Sequence, residues 1–337
     1  MFGAFRFALA LLVVAGHLRQ PIWLGAWAVF AFYTLSGYLM CLVLNERYGF
    51  SRRGFGAYAL NRFLRIHPPY WLACAFTLVV MSLAGEASVR DFWQPWELPN
   101  SFAAWGRNLG IFGLRPGPNP RLIPAAWALS VELTFYLAMG LLLGRGRRIA
   151  IGWLVASVGW HLYLGWEGAS WVQRYFPVQA ASLPFSLGAV IYHHRRWLAG
   201  RFGARWLPLG IALGAWAANY ALVPGAPLEA PRFYANCLLS AAVVALLATP
   251  PPALLRFRRV DAWLGDLSYP IYLIHFLVGF AVEVTWLGSG VRGPKLFWSS
   301  LPWVIGAAWA MHVMLDSSLE RWRRSVRLRV QNTAENR

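Results

Sequence analysis

A chain of 337 residues that is 58% hydrophobic, only 13% charged and carries 20 tryptophans lies far from the composition of a soluble globular domain. Its net charge of +18 is divided among short segments and forms no single surface. That pattern argues against nucleic-acid binding and assigns the charge to membrane topology and to attraction for anionic lipid.

In chain order, apolar stretches of membrane-spanning length fall at 2–18, 22–45, 68–84, 123–144, 149–166, 176–192, 206–223, 233–249, 264–288 and 297–316. The fold class read from them is an all-α integral membrane protein with about ten transmembrane helices. Assigned alternately to the two sides, 21 basic residues fall on one side and 9 on the other. Basic flanks are retained inside, so both termini are expected in the cytoplasm and the protein is expected to be multi-pass in the cell (inner) membrane. Residues 1–320 read as one membrane-embedded domain and 321–337 as a basic cytoplasmic tail. The first apolar run carries Arg6 and has no small-residue cleavage site, so it is expected to stay in the membrane. Cys41, Cys74 and Cys237 lie inside apolar stretches without paired or metal-like spacing, and no disulfide framework or metal site is expected. The segment 85–122 is the only long extramembrane piece. Its Trp93, Trp96, Trp105 and Phe112 predict that it lies on the membrane surface or caps a cavity.

Ionisable side chains inside spans are costly and point to function. They are Arg6, His17, Glu132, His161, His275, Glu283, His312 and Asp316. Arg6 and His17 stand in "FRFALALLVVAGHL". Eleven residues make three turns plus about 20° and a rise of roughly 16 Å, so both project from one helix face. Glu132 is the acid closest to mid-span. For His161, His275 and His312 a hydrogen-bonded packing role is the expectation.

Five signatures in order carry a resemblance. They are Arg6 and His17 with ten residues between them; "FYTLSGYLM" (32–40); "RFLRIHPPYW" (62–71); "WALSVELTFYL" (127–137); and "LGDLSYPIYLIHF" (264–276). Together they resemble the acyltransferase-3 family of bacterial integral membrane O-acyltransferases, over nearly the whole chain. The chain has fewer residues before Arg6 than that family usually carries. The resemblance implies transfer of an acyl group, with acetyl expected, from cytoplasmic acyl-CoA to a hydroxyl of a glycan, glycolipid or other small acceptor. It implies no bound cofactor and no metal, with acyl-CoA as co-substrate and membrane lipid as surroundings.

Beside the resemblance, the chemistry asks for a base near the hydroxyl, and a neutral imidazole suits it. His17 is the expected general base, with Glu132 expected to orient it in the manner of a triad. Arg6, about 16 Å away, is assigned to the donor and counted with the catalytic set. Arg62 and Arg65, spaced i,i+3, are expected to fork around a donor phosphate, with Pro68 and Pro69 closing their helix. Arg52 and Arg53, in the same basic segment, are further donor-binding candidates. Ser36, Tyr136, Tyr269 and His275, drawn from the signatures, complete the candidate site. Ser36 and Gly37 equally suit close helix packing. A multi-span transporter of a small or anionic solute is the alternative to an enzyme, and a purely structural membrane protein is the third reading.

Overall fold

The computed structural model describes residues 1–20, 23–94, 96–117, 119–221, 230–288 and 290–335. The side chain of Asp316 lies outside the described residues. The helices are α1 (Gly3–Val14), α2 (Trp23–Val43), α3 (Arg52–Ala84), α4 (Glu86–Phe92), α5 (Phe102–Gly110), α6 (Ala126–Ala138), α7 (Arg147–Trp166), α8 (Trp171–Tyr175), α9 (Ser182–Phe202), α10 (Trp206–Ala221), α11 (Ala230–Leu247), α12 (Arg258–Val282) and α13 (Pro294–Glu335). Short π turns extend α1, α2, α6 and α12, and no strand occurs among the described residues. An all-helical chain is what an apolar sequence must form in lipid, where each backbone N–H and C=O needs a partner within its own segment.

Five helical stretches among the described residues are long and apolar enough to cross a bilayer: Trp23–Tyr48, Arg52–Ala84, Ala126–Leu143, Arg147–Trp166 and Pro252–Leu287. The other apolar stretches of the sequence fall largely on α1, α9, α10, α11 and α13. Large apolar side chains face outward on many helices, Leu83 82% exposed and Leu162 70% exposed among them. Such a belt has no place in water and suits acyl chains.

Helix α2 is the central strut, packed against α1, α6, α9 and α11, while α12 lies against α1, α3 and α13. The α2–α9 seam is closed by glycines. A Cβ on Gly37 would run into the Phe185 carbonyl and one on Gly188 into the Thr34 carbonyl, so Gly37 has the packing role that its small size predicts.

One expectation is corrected. Pro68 and Pro69 do not close a helix, because α3 runs 33 residues straight through them. Proline removes a donor and crowds the preceding turn, but membrane helices tolerate it where neighbouring side chains satisfy the freed carbonyls. The carbonyls that lose an N–H partner here are those of Leu64 and Arg65; at the next carbonyl, that of Ile66, the Tyr269 hydroxyl of α12 donates at 2.8 Å and ties α3 to α12. Arg62 and Arg65 therefore belong to a membrane helix and not to a loop.

Candidate functional site

Two chambers lie end to end between α1, α2, α6 and α12. The first has a volume of about 840 Å³ and is lined by Arg6, Ser36, Arg62, Arg65, Glu132, Tyr136 and Tyr269, among others. The second, of about 770 Å³, is lined by His17, Trp93, Arg121, Trp127, Trp171 and Phe276, among others. Val29 and Tyr272 line both and form the wall between them. The Tyr272 hydroxyl is fixed there by donation to the Ala125 carbonyl at 2.5 Å.

Helices α2, α6 and α12 supply residues to both chambers. On α12, Tyr269 lines the first chamber, Tyr272 both and Phe276 the second, while His275, three residues after Tyr272, lies behind His17. On α1, Arg6 lines the first chamber and His17 the second, as their spacing predicts. His17 sits in a π turn, Ala15–Arg19, in which the Gln20 N–H reaches back five residues to the Ala15 carbonyl at 3.0 Å. Single π turns recur at functional sites because they re-aim a side chain.

In the first chamber, the Ser36 hydroxyl donates to Glu132 Oε1 at 3.1 Å and the Tyr136 hydroxyl to Glu132 Oε2 at 3.2 Å. Three arginines, Arg6, Arg62 and Arg65, line the chamber with this carboxylate. Arg62 donates to Asn61 Oδ1 at 3.2 Å, yet its Nε is buried without a partner. Among the described residues the Arg6 guanidinium makes no hydrogen bond, although its charge and that of Arg65 bear on Glu132. The chamber therefore carries more positive than negative charge and holds unspent N–H donors, which is the chemistry of an anion site. Arg52 and Arg53 are exposed at the start of α3, about 15 Å from Arg62 at the helical rise, and line neither chamber.

In the second chamber, the expected contact of His17 with Glu132 is absent. Glu132 is bonded to Ser36, which lies thirteen residues, about 20 Å, along α2 from its start. The ring beside His17 is His275, with His17 Nδ1 to His275 Nε2 at 2.9 Å. His275 Nδ1 lies 2.8 Å from the Tyr272 carbonyl. A carbonyl only accepts, so His275 Nδ1 carries the proton and its Nε2, in the neutral ring, accepts. His17 must then donate from Nδ1, which leaves its Nε2 lone pair free. That nitrogen makes no hydrogen bond among the described residues.

Other groups hold His17 in place. Trp93, from the segment 85–122, stands edge-on to the His17 ring with centroids 5.7 Å apart. Arg292 lies over the Trp93 ring at 4.2 Å and donates to the His17 carbonyl at 3.3 Å. The same segment contributes Pro116, Gly117 and Arg121 to the chamber wall, and so it caps a cavity as expected. Arg121 donates to the Pro124 carbonyl at 3.0 Å and to the Arg115 carbonyl. Burial lowers its pKa to about 10, which keeps it charged at neutral pH.

The remaining intramembrane groups have structural partners. His161 bonds the Tyr234 hydroxyl and the Ala180 carbonyl, each at 2.9 Å. Glu283 accepts from the Gly290 N–H at 2.6 Å, and His312 lines a small cavity with Arg65 and Asp266. The three cysteines are buried and free. No His, Cys, Asp or Glu cluster among the described residues could hold a metal ion. Sequence reasoning left Tyr272 and Arg121 out of the site and named Trp93 only within the segment expected to cap a cavity. Tyr272 was within its reach, being three residues from both Tyr269 and His275; the other two stand in a tryptophan- and arginine-containing segment that reads as membrane interface.

A family model described as "Acyltransferase domain" matches residues 2–326. The chain is 27% identical over 320 residues to the exopolysaccharide production protein ExoZ of Rhizobium meliloti (strain 1021), covering 90% of this chain and 92% of that protein. It is 33% identical over 191 residues to nodulation protein 10 of Rhizobium leguminosarum bv. viciae, covering 48% of this chain and 46% of that protein. No solved structure matches the chain at a significant level.

Proposed function

Because the chain belongs to the acyltransferase-3 family, which its sequence matches over residues 2–326, and is a multi-pass membrane acyltransferase, we propose that it moves an acyl group from acyl-CoA, with acetyl as the natural choice, to a hydroxyl of a glycan, glycolipid or other small acceptor. The observation that carries this reading is the free Nε2 of His17, fixed by a histidine and a carbonyl behind it in a chamber that adjoins a cationic one.

The donor lies along both chambers. Arg62 and Arg65, with Arg6 behind them, hold the phosphate end, and the pantetheine arm passes Tyr272 toward His17. The roughly 16 Å rise between Arg6 and His17 suits that arm. Glu132, held by Ser36 and Tyr136, keeps the three guanidinium groups apart and oriented, so its part is in donor binding and not in proton transfer. Arg52 and Arg53 lie at the outer edge of this path, where they add long-range attraction for the anionic donor.

At His17 the acceptor oxygen attacks the thioester carbonyl while Nε2 takes its proton. The carbon–sulfur bond then breaks, the departing thiolate takes the proton from His17, and an ester and free CoA result. No serine or cysteine lines the His17 chamber among the described residues, which supports direct transfer in a ternary complex over a covalent acyl-enzyme. The printed name of the relative that spans nearly the whole chain, an exopolysaccharide production protein, supports a carbohydrate as acceptor.

The topology that goes with this reading has ten crossings in the inner membrane, with residues 1–320 as the catalytic unit and the 321–337 tail and both termini in the cytoplasm. The donor then enters from the cytoplasmic side and the acceptor meets it near the outer face. Purified protein in detergent, given acetyl-CoA and a hydroxyl acceptor, should release CoA thiol in proportion to acylated product. Failure to consume any acyl-CoA would defeat the reading.

A further inference from the structure

Behind the first chamber, between α3, α12 and α13, lies a smaller cavity of about 520 Å³ that shares Arg65 and Tyr269 with it. Beside that tyrosine, its ionisable lining is Arg65, Arg323, Asp266 and His312, and much of the rest is apolar, with Pro69, Pro270 and Met311 among it. Arg323 stands on the part of α13 that the sequence reads as a basic tail, and its charge bears on Arg65. The buried amide of Asn61 ties this tail to the first chamber. Its Nδ2 donates to the Arg323 carbonyl at 3.2 Å and its Oδ1 accepts from Arg62 at 3.2 Å. Two guanidinium groups against one carboxylate leave the cavity cationic, and a planar fork of N–H donors is the group that best matches a phosphate.

Resting on the proposed function, we infer that this cavity seats the adenosine 3′-phosphate end of the donor, with Arg323 of the tail helix joining Arg65 on the 3′-phosphate and the proline and methionine side chains taking the face of the adenine. Coenzyme A carries phosphate in two places, a diphosphate on the 5′ side of its ribose and a monophosphate on the 3′ side. A donor whose pantetheine arm runs up the first chamber therefore leaves a nucleotide and a second anionic group at its cytoplasmic end. Two adjoining cationic cavities that share an arginine fit such a ligand. The volume of about 520 Å³ falls in the range of small-ligand sites, and an apolar surface beside two guanidinium groups suits a purine next to a phosphate. A phospholipid headgroup would satisfy the arginines but leave that apolar surface without a purine. The donor site thus draws on the first turn of the tail, and Asn61 positions both Arg62 and Arg323.

The test uses the full chain in detergent, with acetyl-CoA and acetyl-3′-dephospho-CoA as alternative donors and p-nitrophenyl glucopyranoside as acceptor. In Arg323→Ala the acetyl-CoA KM should rise about three- to tenfold, the loss expected of one partly exposed charge-assisted contact. Its kcat at saturating donor should stay unchanged, which also reports that the variant is folded. The dephospho donor should show at least that loss on the wild-type protein and no further loss on Arg323→Ala, since a shared contact cannot be lost twice. Arg321→Ala removes the same charge from an exposed position about 200° round the helix and should change neither KM. Unchanged acetyl-CoA KM in Arg323→Ala, an equal loss with both donors, or an equal loss in Arg321→Ala would each overturn the seat. Added phosphatidylglycerol that raises the acetyl-CoA KM of the wild-type protein but not of Arg323→Ala would give the cavity to a lipid phosphate and overturn it as well. If acetyl-CoA is not consumed at all, it is the proposed function that fails; calorimetry with CoA and 3′-dephospho-CoA then decides the seat alone, which stands if the wild-type protein prefers CoA and Arg323→Ala weakens that preference, and falls if the preference is missing or unchanged.

Discussion

At the scale of single residues, the account turns on which nitrogen of His17 carries its proton. The Tyr272 carbonyl fixes His275, and His275 fixes His17, so in the proposed reaction His275 is a positioning residue that touches no reacting atom. His275→Leu leaves His17 Nδ1–H without an acceptor and its tautomer unset, and should lower kcat by one to two orders of magnitude with little change in the acetyl-CoA KM. His275→Gln offers an amide oxygen where Nε2 stood and should recover a good part of that loss. Equal losses in the two variants would mean that His275 only fills space. The cationic chamber makes a separate prediction. Arg62→Ala and Arg65→Ala should each raise the acetyl-CoA KM, by up to about 1.5–3 kcal/mol for a charge-assisted bond, with less effect for a donor lacking the 3′-phosphate; unchanged donor kinetics would return them to the role of topology-setting arginines. Much of this site was legible in the sequence, because a charge in an apolar run is visible without a fold. Arg6, His17, Glu132, Arg62, Arg65, Ser36, Tyr136 and Tyr269 all line the two chambers. The pairing was not legible. His17 and His275 are 258 positions apart, and no spacing rule says which side of α12 meets α1.

At the scale of elements, spacing along one helix carried over well and the ends of helices did not. The i,i+3 placement of Arg62 and Arg65 holds because both lie inside α3, yet the Pro68–Pro69 stop fails, because a helix packed among others in a membrane can run on through proline. The π turn that carries His17 has no sequence mark. Close seams are different, since glycine announces them. At Gly188 an added side chain would meet the backbone of α2, which cannot yield without moving the strut on which Ser36 and Val29 stand. Gly188→Val should therefore destabilise the protein by about 1–3 kcal/mol, the usual cost of overpacking, seen as a lower unfolding temperature in detergent. Gly210→Val, on α10 where a Cβ meets open space, is the control and should change little. Equal stability of the two variants would refute the close α2–α9 seam.

At the scale of the whole molecule, the two chambers run from Arg6 of α1 and the arginines of α3 to the capping segment 85–122, and the proposed topology turns the arginine end to the cytoplasm. Reporter fusions should place residues 46–66 and the basic tail inside and 85–122 outside; the reverse assignment would deny the arginine chamber its cytoplasmic donor. In the proposed reaction His17 is the point where donor and acceptor meet. The direct measurement compares purified wild-type and His17→Ala protein for acetyl transfer and, separately, for acetyl-CoA binding. Loss of a general base predicts a transfer rate lower by about 10²–10⁴ with acetyl-CoA affinity nearly intact; comparable turnover in the folded His17→Ala protein would contradict it.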